Sequence, residues 1–145
     1  MKRRRVVLFV GASILALGLS ADAQSGDRFK ARLSPVPVEA ATVASITGSG
    51  SATAILTGTR LTITGTFERL RTPATIAQLH KGPKGVRGPV IFDLTVSKAT
   101  RGTMAGTLTL TPAQVQDLRD GRFYVQIHSE KAPDGNLWGW LLQER

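Results

Sequence analysis

Apolar and polar side chains alternate along most of this chain after residue 23, and this period of two constrains its fold most. A β-strand points successive side chains to opposite faces, so the alternation predicts strands with one buried face. Threonine and β-branched residues are abundant in these runs, as strands favour. We therefore predict an all-β domain, built as an antiparallel Greek-key sandwich or barrel. The alternating runs are 29–33, 52–56, 61–67, 104–110 and 123–127.

One short helix is predicted near 111–120, between two of these strands. Thr111 is a suitable N-cap, and Pro112 fits the first helical position, where a missing N–H costs nothing. Gln114 can return a hydrogen bond to the cap residue, which completes a capping box. Gly121 can take the left-handed conformation that ends many helices.

The first 23 residues differ from the rest and predict a secretory signal peptide. A basic stretch, 2–5, precedes the 14-residue apolar segment 6–19, and Ala-Asp-Ala at 21–23 supplies small residues for cleavage. Fourteen helical residues span about 21 Å, which is short of the roughly 30 Å hydrocarbon core of a bilayer. We therefore favour cleavage over a membrane anchor. The expected product is one domain, 24–145, that is periplasmic or secreted and has no stable membrane span.

The charge and the cysteine content narrow the classes of partner and of site. The chain has 19 Lys+Arg against 10 Asp+Glu, a net charge of +9, and no cysteine. From residue 24 onward the charge falls to +6, because four basic residues and one acidic residue belong to the signal peptide. An exported domain of this charge fits protein or cell-envelope polymers better than nucleic acid. Without cysteine there can be no disulfide and no thiolate metal site, so stability must come from the core.

Two segments resemble the CHRD domain, a repeat found in chordin and in many bacterial exported proteins. Segment 77–94 begins A-Q-L-H-K-G-P-K-G-V-R-G-P-V, close to the family pattern A-H-I-H-x-G-x-x-G-x-x-G-P-V. Segment 121–141 contains G-R-F-Y-V-Q-I-H-S and P-D-G-N-L-W-G-W-L, where the family has G-x-x-Y-V-N-I-H-T and P-x-G-E-I-R-G-Q-L. The opening strand at 29–33 extends the resemblance to about 28–142. It implies an exported interaction domain with an immunoglobulin-like or superoxide-dismutase-like fold.

Four positions depart from the family pattern. Gln78 stands where the family has its first histidine, and Asn136 where it has glutamate. Trp138 and Trp140 replace the arginine and glutamine of the second motif. The family's motif histidines resemble the metal ligands of copper/zinc superoxide dismutase. A metal site carried over from that pattern fails at Gln78, because an amide is a poor ligand for soft divalent metals.

The period of two also assigns faces to the strands around 76–80, 122–128 and 136–142. Their apolar members should enter the core, and the opposite members should gather on the outer face if these strands are neighbours. The last two strands are expected to form a hairpin connected through 129–135. The residues expected on the outer face are Gln78, His80, Tyr124, Gln126, His128, Trp138 and Trp140.

His80 and His128 are candidate ligands for copper or zinc, or a candidate general base. The alternative is that the two imidazoles bond to each other, to Gln78 or to backbone carbonyls. Two histidines without a carboxylate are too few ligands for a zinc site, and only Asp93 and Asp134 could supplement them. No partner group accompanies either histidine in a way that would support acid–base catalysis.

Trp138 and Trp140 also have two interpretations. They can form an exposed aromatic platform for a sugar, a peptide or a protein, since aromatic side chains are enriched at binding surfaces. Alternatively, a loop or the arm 24–34 covers them as a second core. The residues expected to surround a ligand on the platform are Tyr124, Gln126, His128 and Asn136.

The loop 81–89 carries a cation at every third residue. Lys81, Lys84 and Arg87 could hold a phosphate, a sulfate or a uronate; the alternative is a solvated turn whose glycines adopt positive φ. The loop is not a P-loop, because it lacks Gly-Lys-Ser/Thr.

The sequence shows no catalytic motif. It contains neither Gly-x-Ser-x-Gly nor His-Glu-x-x-His, and its carboxylates are scattered. We therefore predict a non-enzymatic exported domain without a cofactor, whose ligand is a protein or an extracellular polymer. The alternative is a copper- or zinc-binding protein that uses His80 and His128.

Overall fold

The structure is a computed structural model that describes residues 26–145. The predicted signal peptide, 1–23, lies outside the described residues. No helix within them is long and apolar enough to cross a membrane. The described part contains these strands and one helix: β1 (Asp27–Pro35), β2 (Ser49–Thr57), β3 (Arg60–Glu68), β4 (Ala74–Lys81), β5 (Val90–Val96), β6 (Gly102–Thr109), α1 (Pro112–Arg119), β7 (Phe123–Ser129), β8 (Ala132–Trp140) and β9 (Leu142–Gln143).

The eight longer strands of this part form a closed antiparallel barrel. Their order around the barrel is β1-β2-β3-β6-β5-β4-β7-β8, after which β8 pairs with β1. Strand β1 closes the circle, because it pairs with β2 along 27–33 and with β8 at Ser34 and Pro35. The prediction of an all-β fold with one short helix is confirmed. The Greek-key connectivity and the likeness to immunoglobulins or superoxide dismutase stay predictions.

The inward members of the alternating strands fill the barrel. On β3, Leu61 and Ile63 are fully buried, whereas Thr62 and Thr64 between them are exposed. The same alternation recurs on β1, β2 and β6, whereas β7 is buried along its whole length; all five predicted strands are confirmed. The largest fully buried side chains of this interior include Phe29, Leu33, Leu79, Phe123, Ile127 and Leu137.

The helix α1 begins with the predicted capping box. The Gln114 N–H donates to Thr111 Oγ1 at 3.2 Å, and the Thr111 N–H donates to Gln114 Oε1 at 2.9 Å. Leu118 is buried against the core, and Gly121 follows the C-cap with φ +69°. The predicted helix is therefore confirmed, including the residues that begin and end it.

Strands β4, β7 and β8 lie side by side, as the face assignment required. Gln78 pairs with Gln126, and Gln126 in turn pairs with Trp138. Strands β7 and β8 form the predicted hairpin, but its turn is shorter than 129–135. Ser129 already pairs with Ala132, so the turn itself consists of residues 130–131. This three-stranded part of the barrel carries the candidate site on its outer face.

Candidate functional site

The outer face of β7 and β8 carries an aromatic cluster that is separate from the barrel interior. The ring centre of Trp140 lies 4.6 Å from that of Tyr124 and 4.8 Å from that of Trp138. Val36, Ile46 and Ala132 complete the cluster.

This cluster is buried. Trp138 and Trp140 are each only 8% exposed, and Tyr124 is 1% exposed. The structure therefore contradicts a freely exposed tryptophan platform, and it shows the alternative in which a covering segment makes a second core.

The covering segment is the glycine-rich loop 82–89, which we call the covering loop. The Trp140 Nε1–H donates to the Gly82 carbonyl at 3.0 Å, and the Gly88 N–H donates to Tyr124 Oη at 2.8 Å. The guanidinium of Arg87 lies 5.9 Å from the centre of the Trp138 ring, a distance that suits a cation–π contact. Hydrogen bonds and aromatic contacts thus hold the loop against the sheet.

Two glycines of the covering loop are required by its backbone. A Cβ at Gly88 would lie 1.7 Å from the Lys81 carbonyl oxygen, so no other residue fits without moving the loop. Gly85 has φ +83° at the tip of the loop, where a Cβ would meet nothing within 4 Å. The loop crosses itself at Gly88 and turns at Gly85, and both glycines belong to the repeated pattern seen in the sequence.

The three cations of the predicted anion site have different neighbours. Lys81 pairs with Asp117 of α1 at 2.6 Å, and Arg87 donates to the Asp134 carbonyl of β8. Lys84 makes no ion pair among the described residues, and it lines a groove beside the cluster. Lys84 therefore lines an open groove, whereas the other two exposed cations are held by Asp117 and Asp134.

His80 lies under the covering loop, with its ring stacked on Tyr124 at a centroid distance of 4.9 Å. Its Nδ1 lies 2.9 Å from the Gly88 carbonyl oxygen; because that oxygen only accepts, Nδ1 carries the proton. Burial lowers the pKa of His80, and the nearby Arg87 guanidinium lowers it further, whereas the hydrogen bond to Gly88 raises it. The lowered pKa favours the neutral imidazole of His80. Its buried Nε2 has no hydrogen-bond partner among the described residues.

His128 is held in a similar way. Its Nδ1 donates to the Pro133 carbonyl at 2.7 Å, and its Nε2 accepts from Gln126 Nε2 at 3.2 Å. The ring centres of His80 and His128 are 6.4 Å apart. The histidines thus bond to backbone carbonyls and to Gln126. Gln78 is not involved.

The carboxylates that could supplement the histidines are used elsewhere. Gln78 Nε2 donates to Asp93 Oδ1 at 2.8 Å on the outside of the barrel, and Asp134 approaches the site through its carbonyl. Across residues 26–145, no three His, Cys, Asp or Glu side chains gather in a way that could hold a metal ion.

Three residues expected on a binding surface are enclosed instead. Asn136 is fully buried; its Oδ1 accepts from Ser129 Oγ and its Nδ2 donates to the Thr47 carbonyl, both at 2.8 Å. Gln126 and Tyr124 are buried as well, and they bond to His128 and to the covering loop. Their polar atoms tie the loops to the sheet, and contact of these groups with a ligand stays a prediction.

An open groove of about 350 Å³ remains beside the aromatic cluster. One wall is the outer face of β1, and the other is the tip of the covering loop. The exposed parts of the two indoles form its floor. We call it the β1 groove, and it is lined by Lys30, Arg32, Ser34, Lys84, Gly85, Trp138, Gly139, Trp140 and Leu142.

Sequence reasoning missed the β1 side of this groove. The alternation around Phe29 and Leu33 already placed Lys30, Arg32 and Ser34 on the outer face. Nothing in the chain order indicated that β1 would lie next to β8, since more than a hundred residues separate Ser34 from Trp138.

Comparison with known proteins identifies one family. The CHRD domain matches residues 29–141, a range that contains both motifs, the covering loop and the residues that line the β1 groove except Leu142. The comparisons with curated proteins and with solved structures find no match. The family match covers well over half of the sequence, and the chain therefore belongs to the CHRD domain family.

Proposed function

We propose that this protein is an exported, non-enzymatic binding domain that holds a protein or an extracellular polymer in the β1 groove. The CHRD domain is an extracellular type of binding domain, which supports this class of function. The observation that carries the proposal is the groove itself, an open depression between a barrel strand and a hydrogen-bonded loop. Export rests on the predicted signal peptide.

The groove offers a ligand both apolar and polar contacts. The edges of Trp138 and Trp140 provide apolar area at the floor, and Leu142, which is 46% exposed, provides more at one end. Burying such apolar area contributes about 25 cal/mol per Å² to the free energy of binding. Arg32 and Ser34 can then orient polar groups of the ligand, a role that the enclosed side chains cannot fill.

A binding role without catalysis is supported by how the histidines are used. Both imidazoles hold backbone carbonyls through Nδ1, and in the described part of the chain neither contacts a nucleophile or a carboxylate. General base catalysis needs the base within hydrogen-bond reach of the proton it removes. Their role in this proposal is to fix the covering loop.

The test is to block the groove without disturbing the core. Ser34→Tyr places a large side chain in the groove, and Thr62→Tyr places the same side chain on an exposed position of β3 that does not line it. We expect envelope components captured by the unmodified protein to be lost with the first variant and kept with the second. Equal capture by both variants would overturn the proposal.

Copper or zinc binding is a second candidate function, favoured by the buried, unpartnered Nε2 of His80. Metal-bound histidines commonly donate their other N–H to a carbonyl, as His80 and His128 do. Equilibrium dialysis with Cu²⁺ and Zn²⁺ should then show stoichiometric binding that is lost in the double variant His80→Ala/His128→Ala. Absence of binding, or unchanged binding by the variant, rejects this candidate.

A further inference from the structure

The β1 groove is continued by a second and larger depression on the same side of the barrel. This depression has a volume of about 670 Å³ and lies across the ends of β2, β3 and β6. Arg32 lines both cavities, so they meet at this one side chain. The lining of the second depression includes Ser51, Thr66, Glu68, Arg69, Arg101 and Thr103.

The sheet register explains why the two depressions are continuous. Arg32 on β1 pairs with Ser51 on β2, Ser51 with Thr66 on β3, and Thr66 with Thr103 on β6. These residues form one row across four neighbouring strands. At about 4.8 Å per strand, the row spans about 15 Å, before the loop side of the β1 groove is added.

The charge along this path is mostly positive, although Lys30 is paired with Glu144 at 2.6 Å. Lys30, Arg32 and Lys84 line the first part, and Arg69 and Arg101 line the second. The lining carboxylate is Glu68, which lies 3.4 Å from Arg69. Among the described residues, Arg32, Lys84 and Arg101 form no ion pair.

We infer that this path, which we call the cationic track, binds an extended acidic polysaccharide, with Arg32 at its centre. Three observations point to this class of ligand. The cations are spread over a length that suits a polymer with an anionic group on each repeating unit, and hydroxyl groups of serine and threonine lie between them. The exposed edges of the tryptophans supply apolar contact at one end.

The inference rests on the proposed function and names its ligand class. A planar lipid surface would contact protruding side chains, whereas the track is a depression that admits a single chain. An acidic peptide would satisfy the cations, but it offers few hydroxyl groups to the row of Ser51, Thr66 and Thr103. These other occupants are outcomes of the test.

The test measures binding of the full exported chain to five probes. They are polygalacturonate, dextran sulfate, uncharged dextran, polyglutamate and vesicles that contain phosphatidylglycerol. We expect binding to both acidic polysaccharides and none to dextran. Affinity should fall as salt rises from about 0.1 M to about 1 M, because the Debye length shrinks from about 10 Å to about 3 Å.

The matched pair of variants is Arg32→Glu and Arg60→Glu. Arg60 is exposed on the outer face of β3, about 20 Å along the strand from Thr66, and it lines neither cavity. We expect Arg32→Glu to weaken binding of dextran sulfate about tenfold, and Arg60→Glu to change it less than about twofold. Unfolding curves that match the unmodified protein show that both variants are folded.

Several results would overturn the inference that the cationic track binds an acidic polysaccharide. Equal weakening by both variants would mean that only net charge matters, and no weakening by Arg32→Glu would mean that the ligand lies elsewhere. Tighter binding to polyglutamate or to vesicles than to the acidic polysaccharides would show that the ligand belongs to another class. If no polysaccharide binds while Ser34→Tyr still abolishes envelope capture, this inference fails and the proposed function stands.

Discussion

At the scale of single residues, His80 links the barrel to the covering loop. Its ring lies between Tyr124 and the loop, and its Nδ1–H bonds to the Gly88 carbonyl. Burial favours the neutral imidazole here and so lowers the pKa of His80. The stability of the covering loop should therefore respond to protons.

This arrangement predicts that stability falls in mild acid. The pKa of His80 is lowered in the folded state, so below the unfolded value of about 6.5 the unfolded chain binds a proton that the folded chain does not. The unfolding free energy should fall as pH decreases below about 6.5, and it should level off below the folded pKa. Melting temperatures measured in chelator-treated buffer test this directly.

His80→Gln is the matched variant for the acid effect, because an amide does not titrate. Its melting temperature should depend less on pH between about 8 and about 5 than that of the unmodified protein, the range in which histidine titrates. If both proteins lose stability by the same amount over this range, then His80 is not the group responsible.

At the scale of elements, alternation in the sequence predicts the strands that have one buried and one exposed face. It does not indicate β5, since Leu94 is the one fully buried residue of that strand and the others are half-buried or exposed. It assigns the faces of β7 and β8 correctly, but both strands are covered on the second face as well. The burial of this second face depends on packing between segments that are distant in sequence. A period of two within one strand does not predict such packing.

For the same reason, only part of the candidate site could be predicted from the sequence. The outward residues of β4, β7 and β8 do gather on one face, as the alternation required. Whether Trp138 and Trp140 would be exposed depended on where the loop 82–89 packs. Glycine spacing in the sequence indicates a turn, but it does not indicate which surface that turn covers.

The covering loop should be displaced from the aromatic cluster when a side chain is added at Gly88, where the loop packs against Lys81. Gly88→Ala places a Cβ against the Lys81 carbonyl, so we expect a loss of about 1 to 3 kcal/mol in unfolding free energy. Tryptophan emission should shift to longer wavelength, because Trp138 and Trp140 become wetter. Gly85→Asn is the control, since asparagine tolerates positive φ and a Cβ there meets no atom. Similar spectra for both variants would contradict this role of Gly88.

At the scale of the whole molecule, one strand joins the two cores. The inward side chains of β1, such as Phe29 and Leu33, lie in the barrel interior, and Val36 just after the strand lies in the aromatic cluster. The Val36 N–H also donates to the Asn136 carbonyl at 3.0 Å. Loss of β1 would open the barrel and remove one wall of the β1 groove, so the cores should unfold together.

Phe29→Ala should therefore destabilise both cores at once, by about 3 to 5 kcal/mol. Tryptophan fluorescence reports the aromatic cluster, and far-ultraviolet circular dichroism reports the barrel. The two denaturation curves should coincide in the variant and in the unmodified protein. Val43→Ala, at an exposed position, should change stability by less than about 0.5 kcal/mol. A fluorescence transition that precedes the loss of strand signal would show that the cores are independent.

Closure of the barrel also limits how this protein can recognise anything. Each of the eight longer strands in the described part has a hydrogen-bonded neighbour on both sides. A partner therefore cannot pair along the whole length of one of these strands, which is a common way for extended peptides to bind; the seams β5–β6 and β8–β1, each paired at two positions, leave strand edges partly open. Selectivity must come from side chains and loop tips, so it can change by substitution while the scaffold stays the same. The closed circle of strands equally protects the folded domain from sheet-to-sheet aggregation.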